Sequence, residues 1–274
     1  MARVLILSSL VAASRVGGGA QALALARLGI EPVLVPTVIF GRHPGHGPPG
    51  GAAVAAETFE SALGGVEAQG AFARIDAVIA GYFASAEQVA IAAAALARVK
   101  AASPGAWLVV DPIMGDEDAG LYVREPVAEA IAVELVRAAD ILAPNAWELA
   151  RLAGRPVEGA ASAMTAAKSL GRDVLVSSIR QDGAIGALYA GGGEAWLATH
   201  AISETAPKGT GDLLTAVFVA ALIGGRAPQD ALEIAVSAVA EGVALGPTLD
   251  ELPLAAAPTR LSASPRVTLR RIDG

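Results

Sequence analysis

Cysteine is absent from this chain, so disulfide staples, thiolate nucleophiles and thiolate metal sites are excluded. Histidine is scarce: there are three, and only His43 and His46 stand close together, with no third ligand nearby for a zinc site. A basic surplus is also missing. The formal net charge is −7, which argues against a nucleic-acid surface. The mean hydropathy is +0.53, but much of that is alanine, and no uncharged apolar run is long enough for a membrane helix. Met1-Ala2-Arg3 and the short apolar run to Leu7 read as a first strand and not as a signal peptide. No Gly-x-x-x-x-Gly-Lys-Ser/Thr is present, which excludes a P-loop, and Gly17-Gly18-Gly19 is too weak a signal for a dinucleotide fold. The expectation left standing is a cytoplasmic enzyme built as one domain over residues 1–274.

What is present alternates. Apolar, β-branched stretches at 3–9, 32–40, 76–80, 107–110, 141–142 and 174–178 read as strands. Helical spacing falls at 20–28, 52–63, 85–100, 125–138, 146–152 and 162–170, with Ser85 as an N-cap and Gly29 and Gly154 as stops. A hairpin-like pair, 184–189 and 195–198, surrounds Gly191-Gly192-Gly193, and the proline-rich tail ends in an edge strand at 266–272. The pattern predicts an α/β fold, a mostly parallel sheet covered by helices on both faces. In such sheets ligands sit beyond the carboxyl ends of the strands. The polar residues that follow strands are therefore candidates: Ser8, Ser9, Asp111, Asn145, Ser177 and Ser178.

The most informative stretch is Lys208-Gly209-Thr210-Gly211-Asp212, which opens an apolar helical run ending at Gly224-Gly225. The first turn of a helix has unpaired N–H groups and partial positive charge, so an anion at Gly209, Thr210 and Gly211 is stabilised. Asp212 beside that anion could take a proton from a nucleophile. Anion cradle and base together suffice for phosphoryl transfer to a hydroxyl; the bland alternative is an ordinary Asp N-cap. Asp111-Pro112-Ile113-Met114-Gly115-Asp116 places two carboxylates on one loop, where they repel or share a Mg²⁺ through waters. Asn145 and Glu148 have the spacing of a capping box, which a role in orienting metal-bound water does not contradict. The Gly- and Pro-rich segment 41–51 reads as a loop that covers a substrate, with His43 and His46 as its hydrogen-bonding groups. Trp107, Trp147 and Trp196 read as packing residues.

In this order and spacing, these residues resemble the pyridoxal kinases of the ribokinase-like superfamily. The resemblance rests on Val16-Gly17, Arg27-Leu28-Gly29, Val38-Ile39-Phe40 with His43, Gly81-Tyr82 with Ser85-Ala86-Glu87-Gln88, Asp111 through Asp116, Leu121-Tyr122-Val123, Pro144-Asn145 with Glu148, and Gly209 through Asp212. It implies ATP-dependent phosphorylation of the 5′-hydroxyl of pyridoxal, pyridoxine or pyridoxamine. Asp212 is then the base and Gly209, Thr210 and Gly211 the anion hole. Asp111, Asp116, Asn145, Glu148, Ser177 and Ser178 lie on the nucleotide side, with Asp116 and Glu148 toward Mg²⁺. Ser8, Ser9, His43, His46, Tyr82 and Asp212 lie on the vitamer side. The resemblance also implies a homodimer and admits a monovalent cation such as K⁺; no nucleic-acid or membrane partner is expected.

The departures fall on the vitamer side. The family's Ser-x-x-Ser-His-Val is here Leu7-Ser8-Ser9-Leu10-Val11, so both Ser8 and Ser9 remain candidates. His-Thr-Gly-Tyr is here His43-Pro44-Gly45-His46. Two alternatives stay open: a hydroxymethylpyrimidine or other small-alcohol kinase on the same fold, or a non-catalytic B6-binding protein. The pyrimidine kinases usually carry Cys where Asp212 stands, and retention of Asp212 argues against a mere binder.

Overall fold

The register of five parallel strands fixes where the polar residues go. Strands β1 (Arg3–Val11), β4 (Ala77–Ala80), β5 (Trp107–Val110), β8 (Ile141–Leu142) and β9 (Asp173–Gln181) share one line across the sheet, Leu7–Ala80–Val110–Leu142–Val174. The next residue along three of them is Ser8, Gly81 or Asp111, so these stand abreast at the carboxyl edge. This is a computed structural model that describes residues 1–203, 207–246, 249–256 and 261–273. Residues 257–260 of the proline-rich tail lie outside the described residues.

The chain runs β1, α1 (Gly17–Arg27), β2 (Glu31–Phe40), β3 (Gly51–Ala53), α2 (Ala56–Ala68), β4, α3 (Ala86–Ala102), β5, a short hairpin β6 (Gly115–Asp116) and β7 (Gly120–Leu121), and α4 (Glu125–Ala130). It continues through α5 (Val136–Ala138), β8, α6 (Ala146–Ala153), α7 (Ala160–Ser169), β9, β10 (Ala184–Gly191), β11 (Glu194–Ala201), α8 (Thr210–Ile223), α9 (Pro228–Leu245) and β12 (Thr268–Arg271). Among the described residues the main sheet has the order β12-β11-β10-β9-β8-β5-β4-β1-β2-β3. The pairings from β9 across to β2 are parallel; those of β3, β10, β11 and β12 are antiparallel.

Side chains alternate across the sheet because the strand period is two. Leu5 and Leu7 of β1 join a core with residues of α2, α3 and α7, whereas Val4 and Ile6 join one with α1, α8 and α9. Both faces are covered, which is why β1 reads as a nearly continuous apolar run. Helix α8 is buried from Leu213 to Leu222, and Phe218 packs against Tyr189 with ring centroids 5.8 Å apart. A helix apolar all round belongs inside a protein. Burying one such side chain contributes roughly 1.5–3 kcal/mol, so the end of α8 that carries Asp212 is firmly anchored.

Several expected elements differ in detail. The helix expected over 52–63 begins at Ala56, because Gly51–Ala53 pairs with Val38–Phe40 as an edge strand. The one over 125–138 contains a π-turn at Ile131–Leu135. Segment 41–51 holds a single 3-10 turn, Pro44–His46. The helix after the glycine loop begins at Thr210, so Asp212 lies inside its first turn and is not its N-cap.

Candidate active site

Glycine makes the approach to α8 possible. Gly209 has φ +89°, and a Cβ there would collide with the Arg15 carbonyl oxygen. The first helical bond runs from Leu213 N to Gly209 O at 3.0 Å. The amides of Thr210, Gly211 and Asp212 therefore lack helix-internal partners, the arrangement in which a helix start can bind an anion. The Asp212 side chain does not cap its own helix. Its Oδ2 accepts from Gly17 N at 2.8 Å, a bond between α1 and α8. Burial raises Asp212 from its ordinary range to about 6, partly offset by that amide. A carboxylate so placed is more basic than a solvated one and still ionised at neutral pH.

Asp111 follows β5 directly and is 7% exposed. Burial, then the charges of Glu148 and Asp212, push its pKa well above the carboxylate range; donors from Thr215 and the Ile113 backbone oppose the shift. The Thr215 Oγ1 to Asp111 Oδ2 distance is 3.0 Å.

Asn145 N-caps α6 in a full capping box. Its Oδ1 accepts from Glu148 N at 2.9 Å, and Glu148 Oε2 accepts from Asn145 N at 2.9 Å. Glu148 Oε1 accepts from Met114 N at 2.7 Å and Gly115 N at 3.3 Å. Burial raises Glu148 to about 7, against the pull of those three amides. Asn145 Nδ2 donates to Gly115 O at 2.8 Å, which ties α6 to the β6–β7 hairpin. Asp116 on that hairpin accepts from Ala119 N at 2.7 Å and from the Tyr122 hydroxyl. The capping expectation for Asn145 and Glu148 is thus met in full, while Oε2 retains a lone pair for other partners.

These groups surround a cavity of about 140 Å³ lined by Asp111, Ile113, Gly115, Tyr122, Asn145, Glu148, Ser177, Gly211, Asp212 and Thr215. Ser177 reaches it because residues 145 and 177 bridge in parallel. Ser178 is exposed, with φ +62° at a bulge in β9, and does not line the cavity. Asp116 and Thr210 border the lining residues without belonging to them.

The vitamer-side candidates gather next door. Ser8 is fully buried and its Oγ accepts from Tyr82 N at 3.2 Å. Ser9 is 8% exposed, and its Oγ lies against Gly17, whose φ of +61° leaves room only for a hydrogen there. His43 N donates to Ser14 Oγ at 3.2 Å, its Nδ1 accepts from Gly45 N at 3.0 Å, and its ring centroid is 5.7 Å from that of His46. Burial, then the charges of Lys208 and His46, lower the His43 pKa below 6.5. Neither histidine lines the cavity.

Sequence reading missed four participants. Gly17 donates its amide to Asp212. Ile113 adopts φ +39°, which turns the Asp111 loop so that successive amides reach Glu148. Tyr122 roofs the cavity. Thr215 had a visible signal, since it is the one hydroxyl between Leu213 and Leu222 in an otherwise apolar run. Trp147 packs against Gly115, as its packing role implied. Among the described residues no three His, Asp or Glu side chains are grouped to hold a metal by themselves. No helix among them is long and apolar enough to cross a membrane.

A family model described as phosphomethylpyrimidine kinase matches residues 56–253. A pyridoxine/pyridoxal/pyridoxamine kinase of Bordetella avium is 37% identical over 238 residues, covering 84% of this chain and 80% of the relative. A pyridoxal kinase of Rubrobacter xylanophilus is 35% identical over 98% of this chain and 97% of its own length. Among solved structures, pyridoxal kinase from Leishmania donovani in complex with ADP and pyridoxamine superposes with a TM-score of 0.91, at 26% identity and full coverage of both chains. The fold is ribokinase-like, and the chain belongs to the pyridoxal kinase family.

Proposed function

We propose that this site transfers the γ-phosphoryl group of ATP to the 5′-hydroxyl of pyridoxal, pyridoxine or pyridoxamine. The observation that carries the reading is Asp212, a half-buried carboxylate with raised pKa, in the first turn of α8 beside the amides of that helix start. Asp212 removes the proton from the attacking hydroxyl, the new P–O bond forms as the bond to the β–γ bridging oxygen breaks, and ADP leaves. The Gly209-Thr210-Gly211 turn, through the unpaired amides at the start of α8, stabilises the charge on the transferring group. In this chemistry positioning and electrostatics do nearly all the catalytic work.

Asp111, Asp116, Asn145, Glu148, Ser177 and Ser178 form the nucleotide side. The donor set suits a hydrated Mg²⁺: Asp111, Asp116 and Glu148 have neutral donors and no ion pair with Lys or Arg among the described residues. Asp116 and Glu148 would hold the ion, which would neutralise the phosphate charge. A monovalent cation such as K⁺ is a further activator on this reading. Ser8, Ser9, His43, His46 and Tyr82 receive the vitamer ring, with segment 41–51 as its cover. The working form is a cytoplasmic homodimer.

The test measures ADP release and phosphorylated product with pyridoxal, pyridoxine, pyridoxamine and hydroxymethylpyrimidine as acceptors. Product from a B6 vitamer is expected. Turnover of the pyrimidine alone would transfer the chain to the thiamine-precursor kinases, and no turnover with any acceptor would leave a binding protein.

A further inference from the structure

Helix-borne hydroxyls normally bond back to the preceding turn. Four among the described residues do so: Ser162 Oγ donates to Gly159 O at 3.0 Å, Thr165 Oγ1 to Ala161 O at 2.9 Å, Ser169 Oγ to Ala166 O at 2.7 Å and Ser237 Oγ to Glu233 O at 2.7 Å. Thr215 does not. It is 2% exposed within α8, and its Oγ1 donates instead to Asp111 Oδ2, 104 positions away in sequence. It also lines the cavity, one helical turn after Asp212.

Helix packing does not require that hydroxyl. Leu213, Leu214, Ala216 and Val217 around it are apolar, and valine would fill the same volume. Threonine is among the weaker helix formers, so local structure gives no reason for it either. What the hydroxyl does provide is a donor to a buried carboxylate that faces two others, Glu148 and Asp212. A carboxylate in that position turns away from like charges unless it is held.

We propose that Thr215 is a positioning residue for phosphoryl transfer, its hydroxyl fixing the Asp111 carboxylate relative to the base Asp212. Asp111 follows strand β5 and Asp212 lies in the first turn of helix α8, so the nucleotide half and the acceptor half of the site stand on different elements. The Thr215–Asp111 bond is a direct side-chain tie between those elements. Because the transition state needs both halves in one alignment, a misplacement of about 1 Å lowers the rate by up to ~10²-fold. The inference rests on the reading of Asp212 as base.

The experiment compares wild type, Thr215→Val and Thr215→Ser, using whichever acceptor the wild type phosphorylates. Its outcome is thereby independent of which alcohol is the substrate. Thr215→Val should lower kcat by roughly 10–100-fold while the acceptor KM stays within about twofold and Tm shifts by only a few degrees. Thr215→Ser, which keeps the donor, should return kcat to within about threefold of wild type. Thr215→Val with wild-type kcat, or Thr215→Ser as slow as Thr215→Val, overturns the proposal. If Thr215→Val does not fold, the pair Thr215→Ser and Thr215→Ala decides: a fast Ser and a slow Ala support it, and equal rates sink it. Full activity in Asp212→Ala would instead overturn the base assignment on which it rests.

Discussion

At the edge where the parallel strands begin, each aspartate has a partner that holds a strand in place. Asp76 Oδ2 accepts from Arg3 N at 2.8 Å. Asp140 Oδ2 accepts from Leu108 N at 2.9 Å and from Lys100 Nζ at 2.7 Å, and Asp173 Oδ2 accepts from Tyr189 OH at 2.6 Å. At the opposite edge Asp111 and Glu148 are buried, Asp212 lies beside them in the first turn of α8, and the charges of Glu148 and Asp212 bear on Asp111. Carboxylates thus staple strands together at one end of the sheet and are crowded against one another at the other. Stability alone would favour the first arrangement everywhere, since burying an unpaired carboxylate is unfavourable. The second arrangement is useful where a cation and a phosphate are to arrive.

The sharpest way to break this contrast is Asp212→Ala. Turnover should fall by roughly 10²–10⁴-fold, the contribution of a general base, while ADP binding measured by calorimetry is retained. Near-wild-type turnover would remove Asp212 from the mechanism. A smaller effect is expected from Glu148→Gln, which keeps the size of the group and removes its charge. The Mg²⁺ concentration for half-maximal rate should rise about tenfold, more than the acceptor KM changes. An unchanged Mg²⁺ dependence with a lowered Tm would reduce Glu148 to its capping role.

The two edges should also respond oppositely in stability. Asp140→Ala removes a shared acceptor and should cost about 1–2 kcal/mol without lowering kcat. Asp212→Asn should gain about 1 kcal/mol at pH 7.5, because the folded-state pKa is raised to about 6 from an ordinary 3.8. Above pH 6 the wild type must bury a charge; below about 4 the group is neutral in both folded and unfolded chains. The advantage of Asn should therefore vanish on acidification, and a pH-independent difference in Tm would mean that burial of the charge is not its cause. The smallest effect belongs to the loop. Its one loop-to-body tie through His43 is a single amide bond to Ser14, and the His43 pKa lies below 6.5. The pyridoxal KM should vary about twofold below that pH, and His43→Gln with His46→Gln should flatten it. Superimposable KM profiles would detach both rings from the substrate.

Alternation of strands and helices, the caps at Ser85 and Asn145, the stop at Gly154 and the helix start after Gly209 were legible in the sequence, because each depends on residues within a few positions of one another. So was the gathering of Ser8, Asp111, Asn145 and Ser177 at one edge, which follows from parallel strands pointing the same way. Segment 51–53 was not legible, since whether three small residues join a helix or pair with β2 depends on a partner strand. Nor was the shared fate of Asp111, Glu148 and Asp212. Their raised pKa values come first from burial, and at Asp111 also from the charges of Glu148 and Asp212, both of which require elements more than thirty residues apart to meet. Gly17 holding Asp212 and Thr215 holding Asp111 were decided by the packing of α1, α8 and β5, because a hydrogen bond between distant segments has no local sequence signature.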